Sequence, residues 1–90
     1  MDDSTRDETE RISRRIAREL GLRVRKWRLS HRWSQEDLGE RMGIDAREVR
    51  RIEAGDNLSI TMLVRIARAF DKTVAELFSV RSSGRRRAGA

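Results

Sequence analysis

The sequence predicts an all-α domain built from five helices. Three observations lead to this class: apolar residues in the N-terminal third recur every three or four positions, four later stretches each follow a helix-capping residue, and no segment keeps the alternation of a β-strand. The 90 residues suffice for one domain and show no internal repeat.

The first predicted helix spans residues 11–31. Its apolar residues form one stripe, which consists of Ile12, Ile16, Leu20, Val24 and Trp27. Gly21 interrupts the stripe, and a glycine in a helix costs about 1 kcal/mol relative to alanine. We therefore expect the helix to bend or restart at Gly21.

Capping chemistry predicts the other helices, at residues 35–42, 46–54, 60–70 and 74–79. Each follows a residue whose side-chain oxygen can accept a bond from a free backbone N–H, namely Ser34, Asp45, Ser59 and Thr73. Three of these caps have an acid three residues later, as in a capping box: Asp37, Glu48 and Glu76. The two tryptophans, Trp27 and Trp33, are expected to be core and staple residues.

The net charge of +6 belongs to the middle of the chain. Residues 1–10 contain five acids against Arg6, whereas residues 81–90 contain four arginines and no acid, so the two ends cancel. Such compositions predict an acidic flexible N-terminus at 1–10 and a basic flexible tail at 80–90, flanking a folded domain at 11–79. A basic folded domain is suited to a polyanion.

Composition also argues against several classes of function. There is no cysteine and a single histidine, His31, so we expect no disulfide, no metal site and no histidine-dependent catalysis. No carboxylate pair, activated nucleophile or glycine-rich phosphate loop is visible, and we expect neither an enzyme nor a cofactor. Without a membrane-length apolar run or a signal peptide, the predicted location is cytoplasmic, on the nucleoid.

Residues 33–55, WSQEDLGERMGIDAREVRRIEAG, place two short helical stretches on either side of a Gly-Ile-Asp turn. Helices below ~12–15 residues are marginal alone, so these two should pack on each other. Gly43 lies where a left-handed residue would end the first helix. Gly39 lies where the second helix would press on the first, so a missing side chain would permit close approach.

The outward face of the second stretch would then carry Ala46, Arg47, Arg50 and Arg51. Arginine matches the O6 and N7 atoms of guanine in the major groove, and an alanine methyl can contact thymine. On spacing alone, a solvated surface stripe remains the alternative.

Residues 21–78 resemble the phage-repressor-like helix-turn-helix family, of the Cro and lambda-repressor type, also called the xenobiotic-response-element family. The resemblance rests on Arg28, Ser34, Gln35, Leu38, Gly43, Ile52, Glu53 and Gly55. It implies a five-helix lambda-repressor-like DNA-binding domain, here with an extended first helix. It also implies a transcriptional regulator that binds double-stranded DNA as a homodimer on a palindromic operator, with its recognition helix, 46–54, in the major groove.

The resemblance further implies roles for single residues. The residues expected to contact bases are Ala46, Arg47, Arg50 and Arg51. The residues expected to contact phosphate are Ser34, Gln35, Asn57, Ser59 and Thr61. Arg28 and Glu53 would form an internal ion pair. Residues of the dimer face or core would be Leu63, Ile66, Phe70, Leu77 and Phe78.

Two kinds of biological role stay open. Within the family, the compact form resembles restriction–modification controller proteins and small phage or plasmid repressors, and the stretch GDNLSITML favours the controllers. The alternative is an antitoxin-type module, which neutralises a partner protein and binds DNA as a complex; the helix before Gly21 favours it. The partner protein would be a polymerase subunit in the first case and a toxin in the second. RNA binding is disfavoured, because the RNA major groove does not admit a helix.

Overall fold

A computed structural model describes residues 3–56 and 58–79 of the chain. The five helices are α1 (Asp3–Ser30), α2 (Gln35–Met42), α3 (Ala46–Glu53), α4 (Ile60–Ala69) and α5 (Val74–Leu77). These described residues include no β-strand, and the predicted all-α class with five helices is confirmed. Asn57, the first two residues and the predicted basic tail lie outside the described residues.

Helix α1 begins at Asp3, so the predicted start at residue 11 was wrong. The prediction followed only the apolar stripe, whereas local chemistry extends the helix. Acids in the first turns favour a helix N-terminus. Asp7 and Glu10 also precede Arg11 and Arg14 by four residues, and opposite charges at this spacing attract each other along a helix, here without forming an ion pair in the described residues.

The C-terminal ends of four helices come one or two residues earlier than predicted. Helix α1 ends at Ser30. Helices α3, α4 and α5 are each followed by a C-cap residue. These residues are Ala54, Phe70 and Phe78. Of the two aromatic caps, Phe70 is buried in the core and Phe78 is exposed.

Helix α1 passes through Gly21 without interruption, so the expected bend or restart was wrong. Gly21 is buried where α1 crosses the end of α3. A Cβ atom at this position would lie 2.6 Å from the carbonyl oxygens of both Ile52 and Glu53. The glycine is therefore required by the close approach of two helices and not by a change of direction.

We expect Gly21→Ala to lower the free energy of unfolding, although alanine is the better helix former by about 1 kcal/mol. The added methyl group meets backbone atoms, which cannot swing aside, and overpacking of this kind costs roughly 1–3 kcal/mol. Urea denaturation followed by tryptophan fluorescence measures the change. Ser13→Ala, at an exposed position of the same helix, is the control and should be neutral or stabilising. A Gly21→Ala variant more stable than the wild type would contradict the close approach.

The core draws on all five helices. Its buried apolar residues are Leu20, Val24, Leu38, Met42, Val49, Ile52, Ile66, Ala67, Phe70 and Leu77. Trp27 and Trp33 are half-buried and pack against this core, as expected of core and staple residues. The ring of Trp33 is covered by His31, stacked at 4.2 Å between ring centroids, and by the guanidinium of Arg41 at 4.1 Å.

Two capping boxes begin α2 and α5. The Ser34 N–H donates to Asp37 Oδ2 at 2.8 Å, and the Asp37 N–H donates to Ser34 Oγ at 2.9 Å. Thr73 and Glu76 exchange the same pair of bonds. The backbone hydrogen bond from the cap residue is the main reason why the pKa of Asp37 and the pKa of Glu76 lie below their ordinary values.

These lowered pKa values predict a loss of stability in acid. A carboxylate with a depressed pKa stabilises the folded chain at pH values above its unfolded pKa, about 4, and this stabilisation disappears as the pH falls through the folded value. When the pH is lowered from ~5 to ~3, the melting temperature of the Asp37→Asn/Glu76→Gln variant should therefore fall by less than that of the wild type. Thermal unfolding at several pH values tests this. An equal loss in both proteins would contradict it.

Candidate nucleic-acid interface

The turn between α2 and α3 has the backbone geometry that its glycines predict. Gly43 ends α2 in the left-handed region at φ 76°. The Ile44 N–H then donates to the carbonyl oxygen of Gly39 at 2.9 Å. A Cβ on Gly39 would lie 2.6 Å from the Ile44 carbonyl oxygen, so the close approach there is to the turn and not, as predicted, to the second helix. The turn is thus compact and fixes the angle between the helices.

An arginine outside the motif closes the same turn. Arg65 of α4 donates from Nη1 to the carbonyl oxygen of Met42 at 2.7 Å, at the C-terminal end of α2. The last carbonyl groups of a helix have no intrahelical partner, and a cation is favoured there. Arg23 of α1 does the same for α5, donating to the Leu77 carbonyl oxygen at 2.6 Å. Part of the basic excess is therefore structural.

Helix α3 has one buried and one exposed face. Val49 and Ile52 are fully buried. The opposite side, called the outer face of α3 below, consists of Ala46, Arg47, Arg50 and Arg51. The three arginines are exposed and Ala46 is half-buried. Ala54, also exposed, continues this face past the end of the helix.

Each of two outer-face arginines lies near an aspartate. Arg47 Nη2 is 3.9 Å from Asp45 Oδ2, and Arg51 Nη2 is 3.4 Å from Asp56 Oδ2. All four side chains are more than half exposed, so these pairs are screened by water and contribute little to stability. They leave the guanidinium groups available to a stronger anionic or planar partner.

A buried network holds α3 against the rest of the domain. Arg28 Nε donates to Glu53 Oε2 at 2.6 Å, and Arg28 Nη2 donates to Glu53 Oε1 at 3.2 Å. The pair is two-pronged and its side chains are only 9% and 6% exposed. Arg28 Nη1 also donates to the Trp33 carbonyl oxygen at 2.9 Å. The expected contact between Arg28 and Glu53 is thus present, and it connects the end of α1 to the end of α3.

Gln35 belongs to this network, which the sequence did not reveal. Its amide nitrogen donates to Glu53 Oε1 at 3.2 Å. The resemblance implies a phosphate contact for Gln35, whereas in this structure its amide nitrogen is directed at Glu53. No local pattern could reveal the bond, because Gln35 and Glu53 meet only when α2 and α3 pack.

The other residues expected at phosphate lie on the surface. Ser34 and Ser59 are exposed N-caps, whose hydroxyl oxygens accept the N–H groups of Asp37 and Met62 at 2.9 and 3.0 Å. A hydroxyl that accepts such a bond keeps its own proton for another acceptor, such as a phosphate oxygen. Thr61 is exposed at the start of α4, and Asn57 lies outside the described residues.

The residues expected at the dimer face or core divide into two groups. Ile66, Phe70 and Leu77 are buried in the core of this chain. Leu63 is half-buried, and Phe78 is 41% exposed. Three further apolar side chains on α4 and α5 are exposed and were not predicted from the sequence: Ile60, Val64 and Val74.

Neither a membrane span nor a metal site is found in the part of the chain that the structure describes. No helix there is long and apolar enough to cross a bilayer. No three acidic or histidine side chains in the same part are grouped so that they could hold a metal ion.

Comparison with known proteins assigns this geometry to a family. Residues 24–77 match the helix-turn-helix family. Among solved structures, the chain is similar to the restriction-modification controller protein C.AhdI from Aeromonas hydrophila, with a TM-score of 0.64 and 33% sequence identity over 69% of this chain and 91% of that chain. No curated protein matches the sequence. The resemblance inferred from sequence is thereby confirmed: the chain belongs to the helix-turn-helix family of the Cro and lambda-repressor type, and it is a DNA-binding transcriptional regulator.

Proposed function

We propose that the protein binds a specific duplex DNA sequence by placing the outer face of α3 in the major groove. The observation that carries the proposal is the contrast between the two sides of α3. Its arginines are exposed, while its inner side is fixed by the fully buried Val49 and Ile52 and by the Arg28–Glu53 pair. A rigid helix that presents planar donors can read base edges, because direct readout depends on fixed geometry.

The outer face supports reading of guanine-containing sequences. Arg47 and Arg51 are one helical turn apart, so they would reach neighbouring base pairs. Each can donate two bonds to one guanine, and Ala46 leaves room for a thymine methyl. The aspartates beside Arg47 and Arg51 form only weak, solvent-screened pairs with them, so both guanidinium groups are free to turn to base edges.

We propose a homodimer on a palindromic operator, with half-sites about one helical turn, ~34 Å, apart. The homodimer is supported by exposed apolar side chains at α4 and α5, which a second copy of the chain would cover. Ile60 and Val64 share one face of α4, Val74 is the first residue of α5, and Phe78 is its C-cap. Within the described residues, Phe78 is the only member of the expected dimer set that is exposed and not buried or half-buried.

We propose that the protein controls transcription in a restriction–modification system. The similarity to a restriction-modification controller protein extends over most of both chains, which supports a shared role. Activity would follow the concentration of the protein itself, since binding of a dimer rises steeply with concentration. A polymerase subunit would be the partner protein at the promoter.

Selection of random duplex DNA by the purified full chain tests this proposal. The experiment is made near ~150 mM salt, because affinities for DNA change steeply with ionic strength. Recovery of a two-fold-symmetric motif, and binding of one dimer per motif in sedimentation, would support the proposal. Recovery of no motif would overturn it.

One observation favours the antitoxin-type alternative. The part of α1 that precedes the family match carries exposed Ile12 and Ile16, which the DNA-binding motif does not use. If these two side chains bind a toxin, an Ile12→Ser/Ile16→Ser variant should no longer bind the toxin but should still bind DNA. If they complete a homodimer, the same variant dissociates into monomers, as sedimentation would show.

A further inference from the structure

The N-terminal part of α1 adds a surface that the helix-turn-helix motif lacks. The family match begins at residue 24, whereas α1 begins at Asp3 and has 28 residues. At 1.5 Å per residue the helix is about 42 Å long, and its first 21 residues precede the match. This segment is rich in arginine and is fixed to the domain by packing of its last two turns.

Four arginines of this segment lie on one side of α1. They are Arg11, Arg14, Arg15 and Arg18, and we call them the arginine face of α1. Their spacing of three, four and seven residues is that of one helix face. All four are exposed, and none belongs to an ion pair in residues 3–56 and 58–79.

The arginine face of α1 adjoins the C-terminal end of α3. Gly55 packs directly on Arg18, since a Cβ on Gly55 would lie 2.8 Å from Arg18 Cγ and 3.0 Å from Arg18 Cα. Arg15 and Arg18 line one groove with Ala54, the residue that continues the outer face of α3. Arg14 lines a cleft with Gly55 and Ser59.

The acids near this face do not neutralise it. Glu53 lines the groove, but its carboxylate is taken up by Arg28 and Gln35. Asp56 lies in the cleft and pairs with Arg51. Among the described residues, Glu19 also lines the groove, as the one remaining acid against the two arginines Arg15 and Arg18. The surface beside the end of α3 therefore stays positively charged.

We propose that the arginine face of α1 binds the phosphate backbone of the DNA that flanks the base pairs contacted by α3. The inference rests on the proposed function, because it needs α3 in the major groove. The exposed guanidinium groups beside Ala54 and Ser59 would then face the strand that borders the groove, and guanidinium binds phosphate with paired hydrogen bonds. Such contacts strengthen binding and fix its register, and carry no sequence information.

The test compares Arg15→Gln/Arg18→Gln with the wild-type protein. Glutamine keeps the Cβ and Cγ atoms that pack on Gly55. Binding is measured by fluorescence anisotropy at several salt concentrations, on the selected operator and on a random duplex of equal length. We expect a roughly 10-fold or greater loss of affinity on both duplexes, and a decrease of the log–log salt slope by about 0.9 per lost phosphate contact, with unchanged base preference.

The matched control removes two charges elsewhere. In Arg68→Gln/Lys72→Gln, the exposed Arg68 of α4 and the half-buried Lys72, which lies over the Trp27 ring, lose their charges. This variant should have the same log–log salt slope as the wild type. Equal slopes for Arg15→Gln/Arg18→Gln and the wild type would overturn the inference, as would an altered base preference. Equal wild-type affinity for both duplexes would instead overturn the proposed function. Melting curves check that both variants are folded.

Discussion

Replacing Glu53 with glutamine is expected to lower the free energy of unfolding by roughly 3–5 kcal/mol, the usual cost of breaking a buried ion pair on one side. Arg28 would remain inside the protein without its counter-charge, since the two side chains are only 9% and 6% exposed. For a domain of this size, each 1 kcal/mol corresponds to about 4–8 °C in melting temperature. Urea and thermal denaturation of Glu53→Gln measure the loss.

A double variant separates the cost of an unpaired charge from the loss of packing. Arg28→Met/Glu53→Leu removes both charges and should regain much of the stability that Glu53→Gln loses, because apolar side chains can replace a buried pair. Asp45→Asn is the exposed control: it breaks the 3.9 Å contact with Arg47 and keeps the N-cap. We expect a change within about 0.5 kcal/mol for it. A Glu53→Gln variant as stable as Asp45→Asn would show that the pair does not hold α3.

Arg47→Ala and Arg51→Ala are each expected to weaken binding to the preferred operator by about 1–3 kcal/mol and to relax specificity at one base pair. Both side chains are largely exposed on the outer face of α3, so their loss should leave the fold intact. The measurement is anisotropy on the selected operator and on a set of duplexes that differ from it at single base pairs. Arg68→Ala, at an exposed position of α4, is the control and should bind like the wild type.

The pattern of loss decides what these arginines contact. If the arginine reads a base, the substitution should weaken binding only to duplexes that retain that base. Duplexes already changed at that base pair should bind the variant and the wild type equally well. A uniform loss on every duplex would assign Arg47 or Arg51 to phosphate, and the proposed reading of bases would be wrong for that residue. Circular dichroism of each variant excludes unfolding as the cause.

The sequence predicted the features that depend on a few neighbouring residues. The cap at Ser34 and the left-handed turn at Gly43 are examples. Each follows from chemistry within one turn of helix: a side-chain oxygen beside a free N–H, or a backbone conformation that only glycine adopts without strain. The alternation of buried and exposed residues along α3 follows in the same way from its helical period.

Local chemistry was also present at the start of α1, but the apolar stripe concealed it. The pattern of Ile12 and Ile16 marks where α1 has an apolar side, and the helix itself continues to Asp3 without one. Burial and helix formation are separate properties, and only the first leaves an apolar period in the sequence. The predicted boundary therefore marked the start of the apolar stripe and not the start of the helix.

The sequence by itself determined the class of fold, the helix-turn-helix motif and the outward arginines of α3, because these depend on spacing along the chain. Only the tertiary structure decided which residues support that motif. Gly21 is needed where α1 crosses α3, Gln35 bonds to Glu53, Arg65 closes the turn, and Arg15 and Arg18 lie beside Ala54. The physical reason is that each contact joins atoms far apart in the chain, and its partner exists only once the helices have packed.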